Sequence, residues 1–224
     1  VAVLHVVRVF TAPDGALGNA LGVFVSGGDV PGEERQAVAR DLGFAETVFV
    51  DDPASGAIDI FAPDAHMPFA GHPTVGTAWL LAEERAPVAQ LRPAAGEVAV
   101  RYEGELTWVT ARPEWSPPFE YVELRSPAEV DALPGVPEGK DLAYCWAWED
   151  EETGRVRARS FVGSAGIPED EATGSAALAL AARLGRPIEV RQGLGSVLRA
   201  RPVDDERAEV GGRVVLDEVR EYPG

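Results

Sequence analysis

Two stretches of this chain run in parallel, and they constrain its fold more than any other feature. A β-rich segment ending at Phe61 leads through a loop to Gly76-Thr77-Ala78 and an apolar helix. A second segment, ending at Phe161, leads through a loop to Gly174-Ser175-Ala176 and another apolar helix. The two motifs start 98 residues apart. A helix that is apolar nearly all round is buried nearly all round. The pattern therefore predicts two pseudo-equivalent halves, each presenting the start of a buried helix. Strand–loop–helix is a common unit, so the pattern by itself leaves duplication open.

A pass along the chain supplies the parts. Val1–Phe10 is β-rich and ends at the turn-forming Thr11-Ala12-Pro13-Asp14-Gly15. Pro31, with Glu33 and Glu34 behind it, predicts a helix opening there and stopping at Gly43. Short strands are expected at Thr47–Val50 and Ala57–Phe61, then a mostly apolar helix from Pro73 to about Glu84, then strands at Val98–Tyr102 and Leu106–Ala111. The segment from Arg112 to Pro118 reads as a linker, dividing the chain into 1–112 and 113–224, with the last strand free to pack back on the first half. In the second half, strands are expected at Leu142–Trp148 and Val156–Phe161. A loop with Gly163, Gly166 and Pro168 follows, then an alanine-rich helix to about Leu184 and strands at Ile188–Arg191, Ser196–Ala200 and Arg213–Asp217.

Scarcity of certain residues narrows the chemistry. The one lysine, Lys140, sits in a Pro-Glu-Gly-Lys-Asp turn, so neither a Schiff-base lysine nor a P-loop is in place. The one cysteine, Cys145, lies in an apolar strand and reads as buried; it has no internal disulfide partner, and no Cys/His spacing looks like a zinc site. A formal net charge of -17 argues against a nucleic-acid surface. No apolar run is long enough to span a bilayer, and the first residues carry no basic-then-apolar leader, which sets the expectation of a soluble cytoplasmic protein without a membrane partner. Chemistry is left to carboxylates, histidines, hydroxyls and backbone amides.

Helix N-termini suit that role, because their unpaired N–H groups and partial positive charge hold anions. Small residues at Gly76, Thr77, Gly174 and Ser175 would let a ligand approach the backbone. The competing explanation is ordinary capping by side chains. His72, before Pro73, is at the cap position of the first helix and serves either as a packing residue or as a catalytic one. His66 and His5 are weaker candidates, the first in an exposed-looking loop and the second in a strand. Asp170 precedes the second helix, where it or a neighbouring Glu169 or Glu171 could be a cap. Glu46 stands between a helix end and the apolar Thr47-Val48-Phe49-Val50; local sequence favours a solvated loop residue, and the apolar edge would suit an acid/base of raised pKa.

Four segments taken together resemble the PhzF-like family, named for a phenazine-biosynthesis isomerase. They are Val9-Phe10-Thr11 with Gly18-Asn19; Ala45-Glu46-Thr47-Val48-Phe49; Phe61-Ala62-Pro63 with the run Pro68 to Ala78 containing Gly71-His72-Pro73-Thr74; and Pro168-Glu169-Asp170 with Ala172-Thr173-Gly174-Ser175-Ala176. The resemblance covers most of the chain apart from roughly Glu114–Tyr144. It implies the diaminopimelate epimerase fold, an α/β (α+β) architecture in which each half is a mixed β-sheet or barrel curled around a central helix, with the site between the halves. It also implies a homodimer, no cofactor and no metal.

What the resemblance implies for the site is specific. Glu46 would shuttle a proton, as the matching glutamate does in the isomerisation of dihydro-hydroxyanthranilate, with His72, Asp170 and Ser175 lining the site. Asn19, Gly71, Thr74, Gly76, Thr77, Thr173 and Gly174 would bind the substrate, a small-molecule carboxylate. The two-cysteine mechanism of related epimerases is excluded, because Cys145 lies outside both helix-start motifs. Ala20 and Glu171 stand where the family usually has proline, Glu171 adding a charge near the site, and the chain is shorter between Glu114 and Tyr144. The expectation is a cofactor-independent isomerase with Glu46 as general acid/base. The alternatives are a non-catalytic carboxylate-binding protein of the same fold, or a two-base racemase or epimerase.

Overall fold

Residues 1–163 and 167–223 are described by the computed structural model, so Gly166 of the expected loop lies outside the described residues. Strand β1 (Ala2–Thr11) pairs antiparallel with β2 (Asn19–Phe24), helix α1 (Arg35–Leu42) follows, and β3 (Glu46–Asp52) returns parallel to β2. Antiparallel strands β4 (Ala57–Ala62) and β5 (Ala65–Met67) lead into helix α2 (Gly71–Glu84). Strands β6 (Gln90–Leu91), β7 (Val98–Glu103) and β8 (Leu106–Ala111) form a meander beyond it. Helix α2 is buried because its early turns carry mostly small and apolar side chains, His72 apart; β1, β2, β3, β8 and β15 surround it.

The second half opens with β9 (Glu120–Glu123), parallel to β10 (Leu142–Asp150), with the short helix α3 (Pro127–Asp131) between them. Strand β10 turns into β11 (Arg155–Val162), which pairs with β12 (Ile167–Asp170). Helix α4 (Gly174–Leu184) is followed by β13 (Ile188–Gln192), parallel to β11, then β14 (Ser196–Pro202) and β15 (Ala208–Tyr222). Antiparallel pairs predominate in one mixed sheet, with parallel pairs at β2–β3, β11–β13 and β9–β10, and both helices feed a single apolar core through Val75, Leu80, Leu81, Leu178 and Leu180. Each of these buried aliphatic side chains stabilises the fold by about 1.5–3 kcal/mol relative to exposure.

Strand β15 binds the two halves together. Its start pairs with β8 on one side and β14 on the other, and from Arg213 onward it pairs with β1. The change of partner falls at Gly211 and Gly212, where a Cβ would collide with the rings of Trp108 and Phe10. Phe10 itself holds φ 64° at an irregularity in the β1–β15 register, a bulge that bends the strand at the crossing.

Several elements differ from expectation. Helix α1 begins at Arg35 rather than Pro31, because Gly27–Asp29 forms a 3-10 turn against the Val50 backbone and the buried Arg35 side chain ties that turn down through the Gly27 and Val30 carbonyls. Helix α2 begins at Gly71, so His72 belongs to its first turn and is not its cap. The expected loop before Asp170 ends in a strand, β12, held by Ser160 of β11. The 112–118 linker contains a 3-10 turn at Pro113–Trp115, and β15 runs well beyond Arg213–Asp217. Cys145 is buried in β10, and burial pushes its thiol up to about 11. Among the described residues no helix is long and apolar enough to cross a membrane.

Candidate active site

The starts of α2 and α4 meet at two glycines. A Cβ on Gly71 would lie 2.6 Å from the Gly174 carbonyl carbon and the Ser175 nitrogen, and one on Gly174 would lie 3.0 Å from Gly71 and His72 backbone atoms. Only glycine permits this approach. Neither N-cap residue accepts a hydrogen bond from its own helix: Ala70 has no side-chain oxygen, and that of Thr173 makes no such bond. Side-chain capping is thus absent at both starts.

Beside this junction lies a cavity of about 240 Å³ shared by the two halves. Met67 and Phe69 form apolar wall from the first half, and Phe119, Leu142 and Val162 from the second. The polar groups on it are Glu46, Asp170, Thr173 and Ser175. Glu46 is the first residue of β3, paired with Leu21, rather than a solvated loop residue; its side chain is 14% exposed. The αL glycine Gly43 ends α1 and turns the chain inward just before it.

His72 Nδ1 lies 3.1 Å from Glu46 Oε2 with the ring only 2% exposed. The contact meets the distance for an ion pair but not the angle for a hydrogen bond, and both Glu46 Oε2 and His72 Nε2 are buried without a hydrogen-bond partner among the described residues. Burial, then the negative charge of Asp170, raises the Glu46 carboxyl well above its usual range. Burial lowers His72 to about 4, against the opposing pull of Asp170 and the Ala20 backbone. Both directions disfavour charge. The pair is therefore held away from the doubly charged, salt-bridged form.

Asp170 has the opposite surroundings. Its Oδ1 accepts from Asn19 Nδ2 at 2.6 Å, and its Oδ2 accepts from Thr173 Oγ1 at 2.6 Å. Asn19 Nδ2 also donates to the Ala172 carbonyl at 3.2 Å, so one side chain of the first half grips the loop of the second. The Thr173 hydroxyl is committed to Asp170, which explains why it does not cap α4. The cavity thus has one carboxyl rich in partners and one poor in them.

The other expected residues separate into groups. Ser175 lines the cavity, whereas Thr74 donates its hydroxyl to the Ala70 carbonyl at 2.7 Å. Gly76 packs against the Val9 and Leu21 side chains, and Thr77 is fully buried; neither is on the cavity wall. Glu171, expected to add charge to the site, turns away to accept from Leu194 N and Ser196 Oγ, because the β13–β14 turn offers it donors. His5 lies 3.0 Å from Glu84, and His66, on β5 rather than in a loop, lies 2.5 Å from Asp59; both are remote from the cavity wall. Two contributors had no sequence signal: Gln192 and Tyr144, which stand behind Thr173 and Asp170. Among the described residues no cluster of three or more His, Cys, Asp or Glu side chains is arranged to hold a metal ion.

Residues 7–141 match the family described as phenazine biosynthesis-like protein, PhzC-PhzF. A trans-2,3-dihydro-3-hydroxyanthranilate isomerase of Pseudomonas fluorescens is 30% identical over 227 residues, covering 79% of this chain and 81% of that protein. Among solved structures, a phenazine biosynthesis PhzC/PhzF protein from Clostridium difficile matches with a TM-score of 0.81 at 20% identity, over 99% of both chains. A protein of Pseudomonas aeruginosa described as an epimerase matches with a TM-score of 0.77 at 25% identity, over 100% of both chains.

Proposed function

The chain belongs to the phenazine biosynthesis-like family and is an isomerase of that family, and on that footing we propose that it moves a proton within a small carboxylate substrate, with Glu46 as the general acid/base. The observation that carries this reading is the Glu46 carboxyl itself. It is buried on the wall of the shared cavity, held toward its protonated form, and left without a hydrogen-bond partner among the described residues. An isomerisation of this kind breaks one C–H bond, forms another, and involves no net oxidation. As carboxylate, Glu46 takes the proton while the electron pair spreads toward the substrate's unsaturated system; as carboxylic acid, it returns the proton at a second carbon. Burial and the Asp170 charge bring its proton affinity toward the range where both halves are feasible.

The neighbours have supporting roles in this scheme. His72, held neutral by burial, keeps Nδ1 3.1 Å from Glu46 Oε2, near enough to accept from the protonated carboxyl once either side chain turns. The uncapped starts of α2 and α4, brought together beside the cavity by Gly71 and Gly174, supply N–H donors for the substrate's carboxylate and for an enolate-like intermediate. Ser175 adds a hydroxyl on the same wall. The apolar walls at Met67, Phe69 and Phe119 exclude water from the transfer.

The test uses trans-2,3-dihydro-3-hydroxyanthranilate, the compound in the relative's name, and a panel of small carboxylic acids in D₂O. Wild-type protein is expected to place deuterium at a new carbon of at least one of them. Glu46→Gln is expected to slow this by about 10²–10⁴-fold while leaving the fold intact. Undiminished exchange in Glu46→Gln would overturn the assignment. One observation favours a second reading, a two-base epimerase: Glu46 and Asp170 face the cavity from different halves. Deuterium at an inverted carbon, with no change in connectivity, is its signature.

A further inference from the structure

The side chains behind Asp170 form a closed set of hydrogen bonds with no spare donor. Gln192, fully buried at the end of β13, uses both amide hydrogens: Nε2 donates to the Asp170 carbonyl at 2.9 Å and to Thr173 Oγ1 at 2.9 Å. Its Oε1 accepts from the Tyr144 hydroxyl at 3.0 Å, which fixes which end of the amide faces Thr173. A hydroxyl has one proton. With Gln192 occupying a lone pair of Thr173 Oγ1, that proton is directed to Asp170 Oδ2, 2.6 Å away. None of Asn19, Tyr144, Thr173, Asp170 and Gln192 has a buried polar side-chain atom without a partner, in contrast to Glu46 and His72.

We propose that Gln192, oriented by Tyr144, is a positioning residue for proton transfer: it sets the rotor of the Thr173 hydroxyl and so fixes Asp170 opposite Glu46. The proposal rests on the isomerase reading of this site and adds residues that do not touch the cavity. The chain of cause runs from Tyr144 on β10, through the Gln192 amide on β13, to Thr173 before α4 and Asp170 at the end of β12. Four elements of the second half thus converge on one carboxylate, and Asn19 of the first half holds its other oxygen. A glutamine that only filled space would need neither the Tyr144 bond nor the double donation. Fixing both oxygens matters because the Asp170 charge, after burial, is a cause that raises the Glu46 carboxyl.

The test follows the Asp170 and Glu46 carboxyl carbons by ¹³C NMR as pH is varied, in the protein alone, so that its outcome is separate from turnover. The titratable groups facing Asp170 are Glu46, His72 and Tyr144, and Tyr144→Phe also removes one of them. Gln192→Met keeps the volume and removes the amide; Thr173→Val removes the hydroxyl; Thr173→Ser keeps it. The Asp170 signal is expected to titrate at least about half a pH unit higher in Gln192→Met and Thr173→Val, roughly a threefold gain in proton affinity, and to stay at the wild-type position in Thr173→Ser. Tyr144→Phe, which leaves the amide free to turn over, is expected to shift the signal the same way by less, and carries the test if Gln192→Met does not fold. A wild-type titration in folded Gln192→Met, or in Tyr144→Phe where that variant alone folds, would overturn the role of Gln192. Failure of the D₂O exchange with these shifts intact would instead reject the isomerase chemistry.

Discussion

Replacing His72 with Asn should flatten the acid side of the stability profile. The imidazole is buried and its pKa is lowered to about 4 from 6.5, a gap of roughly 2.5 units or about 3 kcal/mol at 1.36 kcal/mol per unit. For a depressed histidine the sign is fixed. Above the ordinary value both folded and unfolded chains hold the ring neutral, and its contribution is fully present. As pH falls from about 6.5 toward 4, the unfolded chain gains the proton first, so stability is lost across that window. Between about pH 7.5 and pH 4.5 the ring should account for about 2 kcal/mol of lost stability. Urea denaturation of wild type and His72→Asn at several pH values measures this directly, since the difference between the two proteins removes most of what other carboxylates contribute. The wild-type curve should fall more steeply than the variant's by about that amount. Parallel curves would refute the view that His72 is held neutral by burial.

Further expectations follow from the same geometry. Asp170→Asn removes a charge that raises both Glu46 and His72; the Glu46 carboxyl should titrate at lower pH and His72 lower still, read by NMR of the carboxyl carbon and the ring. A raised carboxyl loses stability as pH climbs from its unfolded value through its folded one, so this variant should also lose less stability as pH rises above the usual carboxylate range. Gly71→Ala drives a methyl into the Gly174 and Ser175 backbone and should cost about 1–3 kcal/mol, visible as a lowered Tm, with Gly174→Ala milder because its nearest contact is 3.0 Å rather than 2.6 Å. Leu178→Ala, at a fully buried position of α4, should cost about 2–5 kcal/mol in chemical denaturation.

The sequence by itself determined the parts whose physics is local. Helices α2 and α4 are legible because unbroken runs such as Ala176 to Ala182 have no polar face to show to water. Gly43 and Gly185 stop helices because they take the left-handed conformation, at φ 67° and 65°. The duplicated strand–loop–helix pattern gave the two helix starts, and resemblance singled out Glu46, His72 and Asp170, which the fold gathers at one junction. What remained hidden is long-range. The start of α1 was misplaced because Arg35 is held by Gly27, Asp51 and Asp59, partners set by folding rather than by spacing. Strand β15 looked short because its pairing changes from β8 and β14 to β1 partway along, and only the assembled sheet shows the two runs to be one strand. Glu46 looked solvated because nothing within a few residues announces that the second half will cover it. Glu171 looked like a site charge, and Gln192 like any polar strand end, for the same reason. Burial and hydrogen-bond partners belong to the tertiary structure, and they decide which carboxyl is pushed toward its protonated form and which is surrounded by donors.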